Sequence, residues 1–233
     1  MWDRLKGLFS KESLCDEAFR ESLVMLGQCL GMFEDAVASL RNEGVPVGDI
    51  YARDRMINKF QRRVRRNIVT HLAVSSNPDI TSSLALTAVI IDIERIGDYT
   101  KNIVELATVH ERPFDGGDLD DEIREFEQTV RRLFQTLPAA LENSDMDTAR
   151  QIIGDHQVLS DRVEELIESL ITGRVMNDNS GEAVTAALYL RYLKRVSAHL
   201  KNVASSIVNP YYRIGFREKG ERKEEGPAVE KED

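Results

Sequence analysis

The feature that most constrains this 233-residue chain is an internal repeat. Glu94-Arg-Ile-Gly-Asp-Tyr-Thr-Lys-Asn-Ile-Val-Glu105 aligns without gaps on Lys194-Arg-Val-Ser-Ala-His-Leu-Lys-Asn-Val-Ala-Ser205. Arg95, Lys101 and Asn102 recur as Arg195, Lys201 and Asn202, and Ile96 and Ile103 become Val196 and Val203. Apolar residues stay at three- and four-residue steps in both copies, which is the period of a helix with one packed face. Duplication of a helical unit accounts for this.

The rest of the chain reads the same way. Leu23, Leu26, Leu30, Phe33, Val37 and Leu40 form a first stripe that ends near Gly44, with Ser13, Asp16 and Glu17 as its start signal. Pro46 and Gly48 punctuate a turn, and Ile57, Phe60, Val64, Ile68 and Leu72 form a second stripe. A third helix is expected from about Asp79 to His110. Pro113, Gly116 and Gly117 make the mid-chain break, after which helices are expected over 119–143, 146–173 and 180–208, with a kink at Pro138. Only six prolines and 6% aromatics among 30% charged residues argue against a sheet rich in turns. The expectation is all-α: two tandem pseudo-symmetric three-helix bundles of six long helices. Their bounds are 13–112 and 118–216, after a short amphipathic segment at 1–12 and before a disordered charged tail at 217–233.

The composition also excludes functions. A net charge of −9 opposes binding to phosphate backbones, so no nucleic acid is expected. The longest wholly aliphatic run, Ala88-Val89-Ile90-Ile91, is far short of the roughly 20 residues that cross a bilayer, and no secretory signal opens the chain. A cytoplasmic protein is expected. Cys15 and Cys29 lie about 21 Å apart on one helix, too far for a disulfide, and read as packing residues. His71, His110, His156 and His199 are scattered and no Ser or Cys has a nucleophile's setting, so no enzyme is expected. His71 reads as a core histidine; His156, beside Asp155, is a weak ligand candidate.

Asp92-Ile-Glu-Arg-Ile-Gly-Asp-Tyr-Thr-Lys-Asn-Ile-Val-Glu105 resembles the third-helix signature of PhoU proteins, an acidic pair four residues apart followed by an Asn-Ile-hydrophobic-Glu ending. With the helix layout, the resemblance spans residues 10–215. It implies a duplicated three-helix bundle that restrains phosphate uptake and phosphate-starvation signalling. The implied partners are a Pst-type phosphate transporter and its sensor histidine kinase, and a homodimer is implied as well. Several members of that family carry iron or zinc clusters on the acidic motifs.

On a helical wheel Glu94, Asp98, Lys101 and Glu105 fall within about 60° of one another, opposite Val89, Ile93, Ile96, Ile103 and Ala107. Carboxylates at i and i+4 lie roughly 6 Å apart, close enough to share one or two cations. Oxygen ligands suit iron, manganese, magnesium or calcium, while the resemblance implies iron or zinc. The plainer reading is a solvated face neutralised by Lys101. Where the family's second helix carries a further acidic pair, this chain has Asp54 and Asn58. The second half offers Asp155 with Leu159 and Lys194 with Ala198, which cannot hold a cation. One metal site at most is therefore expected, from Glu94, Asp98, Asp54 and Asn58.

Arg55, Lys59, Arg62 and Arg66 share a narrow strip opposite Ile57 and Val64. It reads as a solvated face or as a docking strip for an acidic partner or an anionic membrane surface, where each basic group is worth about 1 kcal/mol. Trp2, Leu5, Leu8 and Phe9 form an apolar face that either anchors at a membrane or, as favoured here, folds back over the bundle. Two other functions compete with the regulatory one. They are a metal-buffering bundle, and an accessory regulator of another ion transporter.

Overall fold

The computed structural model describes residues 14–42, 48–110, 112–176 and 180–218 of the chain. Six helices carry the fold: α1 (Leu14–Arg41), α2 (Ile50–Val74), α3 (Ile80–His110), α4 (Asp120–Asn143), α5 (Met146–Ile171) and α6 (Ser180–Val208). Short 3-10 turns at Gly117–Leu119 and Tyr211–Arg213 complete the order, and no strand occurs among the described residues. The anticipated capping residue Ser13 and the apolar segment around Trp2 lie outside the described residues.

The helix starts follow from local chemistry. The Asp49 side chain accepts the Ala52 amide at 2.9 Å and opens α2. Asp79 accepts the Ser82 amide at 3.0 Å ahead of α3, and Asp145 accepts the Asp147 and Thr148 amides, both at 3.1 Å, ahead of α5. Each satisfies first-turn donors that have no intrahelical partner. Gly116 sits at φ +73°, where a Cβ would collide with Asp120, so the chain turns into the second unit only through glycine. Pro138 lies inside α4, which continues to Asn143.

Helices α1 to α3 form one three-helix unit and α4 to α6 the second. The units join chiefly through α3 against α6, with α1 touching α4, where the Phe33 and Phe134 rings stand 5.6 Å apart. The buried apolar residues form one cluster running through both units, so the duplicated halves share a single core. Two polar ties reinforce the junction. At one end Arg41 donates from Nε and NH2 to Glu127 Oε1 at 3.0 and 2.8 Å and also bonds Asp120, while the Tyr189 hydroxyl donates to the same Glu127 oxygen at 2.7 Å. Along the α3–α6 seam, Asp92 Oδ1 accepts from Asn202 Nδ2 at 2.9 Å and lies 2.7 Å from His199 Nδ1. Tyr99 stacks on His199, its pseudo-symmetric equivalent, with ring centroids 5.6 Å apart.

Helix α1 is long and apolar enough by composition to cross a membrane, with a window of mean hydropathy 1.3. Half of that window is buried inside the bundle, where Met25, Leu26, Cys29, Met32 and Phe33 pack into the shared core. It is a core helix. Cys29 donates to the Ile93 carbonyl at 3.5 Å, and both cysteines are free thiols.

Candidate functional site

The packed and polar faces of α3 separate as its spacing requires. Val89, Ile93, Ile96 and Ile103 are buried, while Glu94, Asp98 and Lys101 line the side facing α2. Gly97 lies where α3 meets α2. A Cβ there would meet Ile57 of α2 at 3.4 Å, an ordinary packing distance, so α2 and α3 lie in contact at this turn and the Asp54 carboxylate of α2 reaches α3. Lys101 Nζ then lies 3.3 Å from Asp54 Oδ1 and 3.3 Å from Asp98 Oδ1. Arg95 NH1 donates to the other Asp98 oxygen at 2.9 Å and its Nε stands 3.7 Å from Glu94. Asn58 turns its amide nitrogen to Asp54, 3.1 Å from the carbonyl and 3.3 Å from Oδ2.

All four anticipated metal-site residues are thus neighbours, yet Lys101 occupies the centre of the group as the compensating cation. Asn58 donates through Nδ2 to Asp54 and adds no negative charge to the group. Among the described residues no group of three or more His, Cys, Asp and Glu is arranged to hold a metal ion. A metal would have to displace the Lys101 ammonium, so this donor set as arranged does not fit one. Partial burial costs the Lys101 charge, but Asp54 and Asp98 more than offset it and hold the amine above the usual lysine value. Glu94 is pushed up from the usual carboxylate value, first by burial and then by the charges of Asp98 and Asp54.

The second unit keeps the architecture and changes the chemistry. Lys194 and Ala198 stand where Glu94 and Asp98 stand, and Ser197 replaces Gly97. Ser197 Oγ lies 2.9 Å from Nδ1 of buried His156 on α5. Burial, then the charges of Lys201 and Lys194, push the His156 pKa down to about 4, so the ring is a neutral core group. Asp155 does not face α6 at all: it pairs with Arg132 of α4 at 3.2 Å, and Leu159 is buried. Lys194 pairs with Glu164 on α5. Lys201 has no carboxylate within ion-pair distance among the described residues, and burial lowers its pKa from the usual lysine value.

On the outer face of α2, Arg55, Lys59, Arg62 and Arg66 are all exposed. Arg55 stands 3.4 Å from Asp49, whereas Lys59, Arg62 and Arg66 have no ion-pair partner among the described residues. The neighbouring arginines are used internally, Arg53 pairing with Asp35 and Arg63 with Glu21. His71 is buried, its Nδ1 3.2 Å from Ser75 Oγ and its Nε2 without a partner among the described residues.

Two pseudo-symmetric three-helix units sharing one core, with the ion-bearing face of α3 turned toward α2, define a duplicated helical-bundle protein. The PhoU domain family matches twice, over residues 23–107 and 123–207, each stretch covering one unit in the register of the repeat. The chain belongs to the PhoU family. It is 28% identical over 99 residues to the phosphate-specific transport system accessory protein PhoU homolog 1 of Thermotoga maritima, an alignment spanning 41% of each chain. The fold is similar to the crystal structure of PhoU from Pseudomonas aeruginosa, with a TM-score of 0.73 at 20% identity over 84% of this chain and 95% of that one. It is also similar to the phosphate transport system regulatory protein PhoU from Streptococcus pneumoniae, with a TM-score of 0.72 at 16% identity over 83% and 93% of the two chains.

Proposed function

We propose that the protein is a non-enzymatic restraint on phosphate uptake and phosphate-starvation signalling, acting at the inner face of the membrane through contacts with a Pst-type transporter, its sensor kinase, or both. The observation that carries this reading is the pair of PhoU domain matches, one on each three-helix unit of a shared core. The exposed strip of Arg55, Lys59, Arg62 and Arg66 is the docking face. Its cations are held out by a helix and three of them have no acid within ion-pair distance among the described residues, which suits an acidic partner surface. The acidic corner around Lys101 is a structural ion cluster that fixes α2 against α3 and so sets the angle at which the strip is presented.

The test is a phosphate-uptake and starvation-reporter measurement in cells lacking the protein. The reading expects the starvation response to stay on, or phosphate to accumulate, when external phosphate is plentiful. Normal repression in the deletion would eliminate it.

A further inference from the structure

The counterpart of the acidic corner in the second unit is a cavity of about 660 Å³ between α5, α6 and the chain that follows α6. Three cations line it: Arg150 from α5, Lys201 from α6 and Arg217 from the C-terminal segment. Lys201 Nζ donates to the Gly215 carbonyl at 2.8 Å and to Asn202 Oδ1 at 3.1 Å, which uses two of its three hydrogens. Arg150 grips the Glu218 carboxylate with two parallel bonds, Nε to Oε2 and NH2 to Oε1, each 2.9 Å long. The other acid on the wall, Asp161, accepts from Gln157 at 2.7 Å.

The equivalent position in the first unit explains why this cavity is basic. Lys101 is neutralised by Asp54 and Asp98, whereas Ala198 and Lys194 replace the two α3 carboxylates beside Lys201. A partly buried cation with no acid to pair with is costly unless an anion completes it. The Glu218 carboxylate shows that Arg150 on the same wall already holds an anion, and a guanidinium takes carboxylate and phosphate oxygens in the same two-pronged geometry. We propose that this cavity binds a phosphate-type oxyanion between Arg150, Lys201 and Arg217, with Glu218 as the internal carboxylate that the ligand displaces. The volume falls in the range of small-molecule sites, about 300–1,000 Å³, which leaves room beside the oxyanion for the body of a phosphorylated metabolite. The inference stands on the cavity and its charges and does not rest on the regulatory reading.

Calorimetric titration of the full chain at low salt, with inorganic phosphate in one arm and adenosine triphosphate without magnesium in the other, tests it. One-to-one binding of either probe is expected, and the arm that binds identifies the source. Lys201→Met and Arg150→Gln, each confirmed folded by circular dichroism, should weaken binding about tenfold or more. Glu218→Gln should tighten it several-fold, since the competing internal carboxylate loses its charge, and this half-buried position follows the last helix and leaves the helices untouched. No heat with either probe at millimolar concentration would overturn the proposal. So would binding that Lys201→Met and Glu218→Gln leave unchanged.

Discussion

The corner around Lys101 and the cavity around Lys201 stand on equivalent turns of α3 and α6, and they carry opposite chemistry. In the first unit α2 packs against α3 at Gly97, Asp54, Glu94 and Asp98 gather, and Lys101 is the cation that Asp54 and Asp98 share. In the second unit serine holds a neutral histidine at that turn, Lys194 and Ala198 stand in place of Glu94 and Asp98, and Lys201 faces a cavity with two arginines. After duplication, then, the packed faces had to stay alike because both copies build one core, while the outer polar turns were free to diverge.

The largest effect expected from breaking this arrangement lies where the halves are fused. Glu127→Ala removes the acceptor shared by Arg41 and Tyr189 and leaves a buried guanidinium short of charge. It should cost about 3–5 kcal/mol, measured by urea unfolding, as for other buried pairs that lose one partner. A cost below about 1 kcal/mol would mean the two units are not clamped at this point.

The next effect is a pH dependence carried by His156 of the second half. His156 titrates near 6.5 when unfolded and is held down to about 4 in the fold. A depressed histidine contributes stability that is fully present above pH 6.5 and is lost as pH falls through about 4, roughly 3 kcal/mol in all. Glu94 acts in the reverse sense, since a carboxyl held above its usual value relieves strain when protonated. Unfolding free energies at pH 7 and pH 4.5 should therefore differ less in His156→Gln than in the native chain. Equal slopes would remove His156 as the cause.

A matched pair of substitutions sharpens the contrast further. Lys101→Met strips Asp54 and Asp98 of their cation and should destabilise by about 1–3 kcal/mol. Lys201→Met, at the equivalent turn, should stay within about 1 kcal/mol of the native chain, because relief of burial offsets two lost hydrogen bonds. Similar losses in both would say that the two lysines do the same job.

The smallest effect on stability should come from the α2 strip. Arg55→Glu, Lys59→Glu and Arg62→Glu together change only exposed positions, at less than about 0.5 kcal/mol each. In cells, the folded triple mutant should nevertheless lose part of phosphate repression, read by the starvation reporter, as like charges now meet at the partner surface. Full repression would eliminate the strip as the docking face.

Much of this was legible in the residues alone. The six helices, the glycine break and the repeat follow from periodicity and turn chemistry, which are local, and the helices end within about three residues of where the stripes stop. The grouping of Asp54, Asn58, Glu94 and Asp98 was legible through the family resemblance. That Lys101 sits at its centre was visible only as a neutralising neighbour. The Arg41–Glu127–Tyr189 tie was not legible, because an arginine in the last turn of a helix reads as an ordinary partner of the helix dipole. The second-half cavity was missed because the expected comparison set Asp155 and Leu159 against the first unit's acids. The signal that would have found it is the exchange of Gly97 for Ser197, which points to a polar partner one turn along α5 at His156. The tail from 217 reads as disordered from composition; Glu218 pairs with Arg150 of the second unit, and residues 219–233 lie outside the described residues.

The most direct measurement is a side-chain nitrogen and carbon NMR titration that resolves the Lys101 and Lys201 amines in one sample. The account predicts that Lys101 titrates above the usual lysine value of about 10.4, held up by Asp54 and Asp98, and that Lys201 titrates below it, pushed down by burial that outweighs the charge of Asp92. Two lysines titrating together, or Lys201 above Lys101, would contradict the claim that the duplicated halves carry opposite chemistry on one scaffold.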